Sequence, residues 1–225
     1  MKKKQISIDG PAGSGKSTIA KLLAEKLGFV YIDTGAMYRA ITLLAIRKKI
    51  SIDNIAELAQ IAEKAKIEFV NEEGFSQLII CDGENITDNI RSTEVNEKVS
   101  VISAIKEVRE KLINNQRRIA ENSNVVMDGR DIGTIVLPNA KIKIFLTASL
   151  EERSKRRAKE MKAKGMEFEF DNLQQEIALR DKMDSERVLS PLKPAKDAVI
   201  IDSTKLTIEQ VVEKILQLYH ANGGE

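Results

Sequence analysis

The sequence predicts an α/β fold in which crossover helices cover a parallel sheet that also carries a small antiparallel insert. Short β-like runs alternate with amphipathic helical patterns towards both ends of the chain, and this alternation is typical of parallel sheets. Residues 67–87 break the alternation with three β-like runs in succession. At 225 residues the chain is long for one compact unit and short for two ordinary domains. We therefore expect a single domain, 1–225, with an elaboration.

The N-terminal part shows the alternation most clearly. A strand containing Ile6 and Ile8 precedes a helix whose apolar stripe ends near Gly28, a plausible helix stop. A second strand over residues 29–32 leads into the segment DTGAMYR, residues 33–39, which opens the next helix. Further strands are predicted at 125–127, 142–146 and 198–201, and a clean 3.6-residue period over 208–216 predicts the last helix.

The segment at 67–87 is predicted to be an antiparallel meander. Its first turn is expected at residues 71–74, and its second turn is the step Asp82-Gly83, a strong hairpin signal between two β-like runs. No repeat and no low-complexity linker flanks the segment. We expect a lobe packed on the main domain rather than a tethered module.

Composition and charge argue against several classes of protein. Hydrophobic residues make up 42% and charged residues 31%, which is typical of a soluble globular chain. A net charge of +2 does not by itself argue for a nucleic-acid or membrane partner. No run approaches the 18 apolar residues of a membrane span. With one cysteine, Cys81, and one histidine, His220, we expect a cytoplasmic protein without an internal disulfide or histidine-based catalysis.

Residues 10–17, GPAGSGKS, match the phosphate-loop motif G-x-x-x-x-G-K-[ST] at every fixed position, between a predicted strand and a predicted helix. Glycines let backbone N–H groups close around phosphate oxygens, and the helix N-terminus adds partial positive charge. Lys16 is expected to reach the β- and γ-phosphates of a nucleotide, and Ser17 to ligate Mg²⁺. The alternative is a glycine-rich turn that happens to contain a lysine. The expected nucleotide-binding residues are Gly10, Pro11, Ala12, Gly13, Ser14, Gly15, Lys16, Ser17 and Thr18.

This motif does not separate a small kinase from a switch GTPase or a nucleic-acid motor. A guanine-specific switch normally carries Asn-Lys-x-Asp, which the sequence lacks. A motor usually needs a longer chain and a more basic face. A small kinase is therefore favoured.

Charged residues follow the predicted strand at 125–127. Asp128, Arg130 and Asp131 come directly after it, and the ligand crevice of an open parallel sheet lies outside the carboxyl ends of its strands. Arg39 follows another strand, so we expect it at the same crevice. The alternative is a plain Asp-Gly turn with solvated charges, and an Arg39 that is simply exposed.

Two predicted helices carry further charges with two possible interpretations. Arg180, Asp184 and Arg187 lie at i, i+4 and i+7, where they form either one side of a substrate site or a surface ladder of ion pairs. The helix over 150–164 places acidic residues first and basic residues later, as the helix dipole favours. It is either a plain exposed helix or a mobile lid that brings guanidinium groups over phosphates.

Several blocks of the sequence together resemble the bacterial cytidylate kinases. They are GPAGSGKST at 10–18, DTGAMYR at 33–39, IRSTEV at 90–95, DGRDIGT at 128–134, RDKMDSER at 180–187 and DST at 202–204. The blocks occur in order over nearly the whole chain, so the resemblance is not confined to the phosphate loop. It implies the P-loop three-layer fold of nucleoside monophosphate kinases, with a five-stranded parallel sheet. It also implies a small β insert on the monophosphate-binding side, expected at 66–101, and a lid at 150–166.

The resemblance implies roles for the matching residues. Arg39, Arg130 and Arg187 would bind the CMP phosphate, and Arg180 and Asp184 would hold the ribose hydroxyls. Recognition of cytosine would fall to Ser100, Arg109 and Asp131. The remaining substrate-binding residues would be Thr34, Gly35, Tyr38, Arg91 and Asp128. Arg153 and Arg157 are the lid candidates for contact with ATP.

The activity implied is transfer of the γ-phosphoryl group of ATP to CMP or dCMP, with Mg²⁺, in pyrimidine nucleotide metabolism. Since an acceptor phosphate oxygen attacks directly, catalysis reduces to alignment and charge neutralisation, here by Lys16, Arg130, Arg157 and Arg187. Two rivals stay open: another small-molecule P-loop kinase, and a regulatory NTPase that binds nucleic acid through its basic helix. We expect a monomer whose partners are its small-molecule substrates, without nucleic acid or membrane.

Overall fold

The computed structural model describes residues 3–70, 77–163 and 165–223. In chain order the strands are β1 Gln5–Asp9, β2 Val30–Asp33, β3 Ile67–Val70, β4 Leu78–Cys81, β5 Glu84–Asn85, β6 Val125–Gly129, β7 Ile142–Thr147 and β8 Val199–Asp202. The α-helices are α1 Lys16–Leu27, α2 Thr34–Arg47, α3 Ile55–Lys64, α4 Thr93–Ile102, α5 Lys106–Asn122, α6 Leu150–Ala163, α7 Phe170–Glu186 and α8 Ile208–Ala221. A 3₁₀ turn, Asn89–Arg91, and a π-helical turn, Ile132–Val136, complete the elements.

The chain forms two compact units, Met1–Tyr31 with Ala120–Glu225, and Ile32–Ile119. The predicted insert at 66–101 lies within the second unit, and the predicted lid at 150–166 within the first. The first turn of the meander, residues 71–74, and Lys164 lie outside the described residues. None of the helices in the described part of the chain combines the length and the apolar character needed to cross a bilayer.

The first unit is built on the predicted five-stranded parallel sheet, in the order β2-β6-β1-β7-β8. The central strands are buried along almost their whole length, because helices cover both faces of such a sheet. Helix α1 ends before Gly28, the predicted stop, which adopts the left-handed conformation. The hydrophobic core of the first unit includes Ile6, Ile8, Ile19, Leu23, Val126, Ile144, Leu146, Val211 and Ile215.

One strand extends further than predicted. β6 continues through Asp128 and Gly129, since these residues pair in register with Ile8 and Asp9 of β1. Asp128 therefore belongs to the end of the strand and not to a turn after it.

The second unit contains the predicted meander, a three-stranded sheet in the order β3-β4-β5. The hairpin turn has positive φ at Asp82, 51°, and at Gly83, 86°, as a tight turn between antiparallel strands requires. The buried thiol of Cys81 faces the core of this unit, and burial raises its pKa to about 11, so it is not poised as a thiolate.

Candidate active site

The phosphate loop connects β1 to α1 and has a conformation that its glycines alone permit. A Cβ atom on Gly10 would lie 2.0 Å from the carbonyl oxygen of Leu146 on β7, so a side chain cannot fit there. Gly13 and Gly15 have φ values of 74° and 90°, in the left-handed region. Gly15 then caps the first turn of α1, whose N-terminus opens at the loop. The backbone has the form that the motif predicts for a phosphate cradle.

Lys16 is folded against its own loop. Its Nζ donates to the carbonyl oxygen of Pro11 at 2.7 Å and to the Ser14 hydroxyl at 3.4 Å, and the residue is only 6% exposed. Burial and the neighbouring charges of Arg130 and Arg180 lower the pKa of Lys16 to about 7, although Asp128 partly opposes the shift. Burial, together with Arg130, likewise lowers the pKa of Arg180 to about 10.

These shifts have a geometric meaning. Arg130 and Arg180 both lower the pKa of Lys16, and Arg130 lowers that of Arg180, so positive charges act on one another in this part of the first unit. Burial would also lower the pKa of Arg130, but the carboxylate of Asp184 outweighs it and raises that pKa. An anion with several oxygens placed among these cations would relieve their repulsion. The arrangement suits a phosphate group.

Asp128 is attached to the phosphate loop by a direct hydrogen bond. The hydroxyl of Ser17 donates to Asp128 Oδ2 at 2.9 Å, and the hydroxyl of Tyr31 donates to Oδ1 at 2.9 Å. A serine hydroxyl and a carboxylate are hard oxygen donors of the kind that Mg²⁺ prefers. Within the described residues no three His, Cys, Asp or Glu side chains gather as a metal site. Two protein oxygens beside a phosphate cradle fit an ion that keeps most of its ligands as water and phosphate.

A second ionic cluster joins the segment after β6 to the end of α7. Nε of Arg130 donates to Asp184 Oδ2 at 2.7 Å, and both side chains are largely buried. Burial by itself would raise the pKa of Asp184, but the charge and hydrogen bond of Arg130 outweigh it and hold that pKa below its ordinary value. Asp184 therefore stays ionised and acceptor-only.

Arg187 lies one residue past the end of α7 with extended backbone angles, and not on the helix itself as the i, i+7 spacing predicted. Its guanidinium nitrogens lie 3.8 Å from Asp131 and 3.9 Å from Asp184, and its side chain is 8% exposed. Arg180 belongs to the same region. Its Nε is buried and has no hydrogen-bond partner within the described residues, which leaves one buried donor available to a ligand oxygen.

Helix α6, the predicted lid, places its arginines in different surroundings. Arg153 is buried at 8% exposure and donates from Nη1 to the carbonyl oxygen of Ala12 at 2.9 Å. Arg156 donates to Ser14 O at 3.2 Å and to Ser203. Arg157 is paired with Glu160 on the helix surface at 3.1 Å. Two of these arginines thus hold the outside of the phosphate loop.

The second unit contains the other predicted substrate residues, which begin at the N-terminus of α2. Asp33 caps this helix by accepting from the backbone N–H of Ala36 at 2.9 Å, and Arg91 lies 3.4 Å from the same carboxylate. Thr34 is buried and Gly35 is exposed in this first turn. Arg39, one turn further, donates to the side chain of Asn96 and to the carbonyl oxygen of Ile90.

Arg109 is the most deeply buried of the predicted base-reading residues, at 2% exposure. Its guanidinium carbon lies 5.4 Å from the ring centroid of Tyr38, and its Nη1 donates to Ser103 O at 3.0 Å. Ser100 lies on α4, and its carbonyl oxygen accepts from the Ser103 hydroxyl. Tyr38 is thus buried, and the face of its ring packs against the guanidinium of Arg109.

The sequence did not indicate several residues that hold the predicted site residues, or the segments that carry them, through hydrogen bonds. Asp9 accepts from the backbone N–H groups of Ile132 and Gly133 at 2.8 and 2.7 Å and so fixes the segment after Asp131. Other missed contacts are those of Tyr31 with Asp128, of Asn96 with Arg39, and of Asp181 with Ala12. Asp9 precedes the motif, and Asp181 lies inside a recognised block, but no spacing in the sequence indicates their distant partners.

Comparison with known sequences identifies relatives of the chain. The sequence model of the cytidylate kinase family matches residues 6–221. A cytidylate kinase of Alkaliphilus oremlandii (strain OhILAs) is 54% identical over 214 residues, which cover 95% of this chain and 96% of that protein. Another from Bacillus cereus (strain ATCC 10987 / NRS 248) is 49% identical over 217 residues, 96% of each chain.

Two solved structures resemble the chain at low sequence identity. An uncharacterized protein from Eubacterium ventriosum ATCC 27560 gives a TM-score of 0.54 at 15% identity, over 98% of this chain and 99% of that chain. A putative kinase from Chloroflexus aurantiacus gives 0.50 at 15% identity over the whole of both chains. At this identity the likeness concerns the fold alone.

Proposed function

The chain belongs to the cytidylate kinase family, and on that premise we propose which of its residues carry out the reaction. The protein is an ATP-dependent kinase that transfers the γ-phosphoryl group of ATP to CMP or dCMP, giving CDP or dCDP. The observation that carries the assignment of residues is the phosphate-loop cradle, in which the Lys16 side chain is buried and the Ser17 hydroxyl donates to Asp128 at 2.9 Å.

We assign the phosphate loop to ATP. The backbone N–H groups at the start of α1 face outward from a helix N-terminus, where triphosphate oxygens are favoured. Lys16 leaves the Pro11 carbonyl and turns to the β- and γ-phosphates. Ser17, with Asp128 hydrogen-bonded to it, would hold Mg²⁺, which neutralises phosphate charge and orients the oxygens for transfer.

We assign the cluster around Asp184 to the acceptor nucleotide. Asp184 is ionised and accepts hydrogen bonds from ribose hydroxyls, while Arg180 supplies the buried Nε donor. Arg130 and Arg187 neutralise the CMP phosphate. Asp131 is a buried carboxylate next to Arg187, placed to accept from the 4-amino group of cytosine.

For the second unit we propose the roles that the resemblance implies. Arg39 contacts the acceptor phosphate, and Arg109 with Ser100 contacts the base. The support is that Arg109 is buried and stacked on Tyr38, so its guanidinium is held in one orientation, as a group that reads a base must be. The resemblance also assigns Thr34, Gly35 and Arg91 to acceptor binding.

The chemical step then needs no protein nucleophile. A phosphate oxygen of CMP attacks the γ-phosphorus of ATP, the bond to the β,γ-bridging oxygen breaks, and ADP leaves. Lys16 and the arginines stabilise the charge spread over the transferring group, and holding the two nucleotides in line removes most of the entropic barrier. We propose that Arg157, beside Arg180, contributes from the edge of α6.

A panel of nucleoside monophosphates tests the proposal. ATP and Mg²⁺ are held at saturation, and ADP formation is followed with CMP, dCMP, UMP, AMP and GMP. CMP and dCMP should be used at least about a hundredfold more efficiently than UMP, because mismatched buried polar groups are strongly rejected. No turnover with CMP, or turnover that requires added RNA, would overturn it. We propose further that the protein acts as a cytoplasmic monomer, which sedimentation of the purified chain would check for the oligomeric state.

A further inference from the structure

Asp181 connects the helix that carries the proposed acceptor residues to the phosphate loop. It lies on α7, and its Oδ1 accepts from the backbone N–H of Ala12 at 3.1 Å. The side chain is 18% exposed, so this bond is partly shielded from water. Helix α7, which is far in sequence from the loop between β1 and α1, thus accepts a hydrogen bond from one backbone N–H of that loop.

Arg153 completes a closed set of contacts around Ala12. Its Nη1 donates both to the Ala12 carbonyl oxygen, at 2.9 Å, and to the carboxylate of Asp181. Its Nε donates to Ala148 O at 3.0 Å, which anchors the guanidinium at the end of β7. Both backbone polar groups of Ala12 are therefore engaged by side chains from α6 and α7. The loop also packs closely against α6, since a Cβ on Gly13 would lie 3.0 Å from the Arg153 carbonyl oxygen.

The residues beside Asp181 face the proposed acceptor cluster. Arg180 comes immediately before it and has a buried Nε without a partner within the described residues. Asp184 comes three residues after it and is hydrogen-bonded to Arg130 at 2.7 Å. A single helix turn thus carries a contact to the ATP loop and two proposed contacts to the ribose. A helix turn moves as a rigid piece, because its backbone hydrogen bonds fix these positions relative to one another.

We propose that Asp181 is a positioning residue that couples the binding of ATP to the binding of the acceptor. This inference rests on the proposed function of Arg180 and Asp184. When the acceptor draws α7 onto itself, Asp181 and Arg153 set Ala12 and the loop in the conformation that holds the triphosphate. Thermodynamic linkage makes the effect reciprocal, so bound ATP tightens the acceptor by the same factor.

The test measures this factor directly by calorimetric titration. The Kd for CMP is determined with and without a saturating non-hydrolysable ATP analogue and Mg²⁺, and the Kd for the analogue is determined with and without CMP. In the wild type we expect a coupling factor within the usual range of about 5 to 150, equal in both directions. Asp181→Ala should bring the factor to about 1, with CMP affinity in the absence of the analogue changed much less.

A conservative variant and a neighbouring control separate positioning from general damage. Asp181→Asn keeps an oxygen for the Ala12 N–H but loses the charge that faces Arg153, so it should retain an intermediate factor. Lys182→Ala changes the exposed next residue of α7 and should leave the factor at the wild-type value.

Several outcomes would overturn the inference. They are a coupling factor near 1 in the wild type, an unchanged factor in both Asp181 variants, or an equal loss of CMP affinity with and without the analogue. The last result would mean that Asp181 merely supports the fold. Failure of the proposed function itself looks different, because then the wild type would not turn over CMP with ATP.

Discussion

Asp9 allows a test in which stability and function point in opposite directions. Its carboxylate is 4% exposed and accepts from the backbone N–H groups of Ile132 and Gly133. Burial is the largest influence, and it raises the pKa of Asp9 from 3.8 to about 6, even though the two hydrogen bonds and Lys16 favour the charged form. Asp131 adds a smaller repulsion in the same direction as burial.

The sign of the resulting pH dependence follows from linkage. Because the pKa of Asp9 is higher in the folded protein than in the unfolded chain, the folded state binds more protons between about pH 4 and pH 6. The contribution of Asp9 to stability is therefore fully present below pH 4 and is lost as the pH rises through 6. A difference of about two pKa units corresponds to roughly 3 kcal/mol of unfolding free energy.

We predict that the stability of Asp9→Asn relative to the wild type rises with pH. At pH 4 the variant should be the less stable protein, because its amide offers one acceptor oxygen and one NH₂ group to two buried backbone N–H donors and leaves one of them unsatisfied. Between pH 4 and pH 8 the difference in unfolding free energy should move in favour of the variant by up to roughly 3 kcal/mol, because only the wild type must bury a charge. Urea unfolding from pH 4 to pH 8 gives the difference between the two proteins, from which all other titrating groups cancel.

A matched control is Asp53→Asn, which makes the same substitution at an exposed carboxylate. If the wild type and Asp9→Asn gave parallel curves, the reasoning about the buried charge would be wrong. The expected cost is in activity, because one of the two backbone N–H groups loses its acceptor and the segment after Asp131 loosens. The variant should have a raised KM for CMP.

The remaining predictions concern residues of the proposed site. Lys16→Ala should lower kcat by about 10² to 10³ or more, because Lys16 acts on charge that develops during transfer, while the melting temperature stays near the wild-type value; near-normal turnover would contradict the assignment of the loop. Asp184→Ala should weaken CMP binding by roughly 1.5 to 3 kcal/mol and ATP-analogue binding much less; equal losses for both nucleotides in calorimetry would exclude a ribose role. Asp131→Ala should reduce kcat/KM strongly for CMP and little for UMP, and an unchanged ratio of the two would mean that Asp131 does not read the base.

Much of the fold could be predicted because its signals are local. The phosphate-loop motif, the hydrophobic periods and the step Asp82-Gly83 each depend on residues that are close in sequence. The end of β6 could not be predicted in the same way. Asp and Gly are disfavoured in strands, but here Asp128 and Gly129 are paired with β1 in the ladder, a contact that the local sequence does not indicate.

A local motif in the sequence indicated where the phosphate loop lies, but contacts between residues far apart in the chain could not be predicted. Asp9 and Gly133 are 124 residues apart, and Ala12 and Asp181 are 169 residues apart, so no spacing rule joins them. The basic composition of the helix at 150–164 suggested a lid, but it did not indicate which of the arginines are buried against the loop and which lie at the surface. Arg153 packs under the phosphate loop and Arg157 is paired at the surface, a distinction that depends on the face each presents.

The crowding of cations explains why this unit should respond strongly to its ligands. Lys16, Arg130 and Arg180 are held close together with two buried carboxylates, Asp128 and Asp184, between or beside them. Burial, and then the charges of Arg130 and Arg180, lower the pKa of Lys16 to about 7. On the proposed function, a bound phosphate would offset the repulsion among these cations and add charge-assisted hydrogen bonds, so ligand binding and folding would reinforce each other.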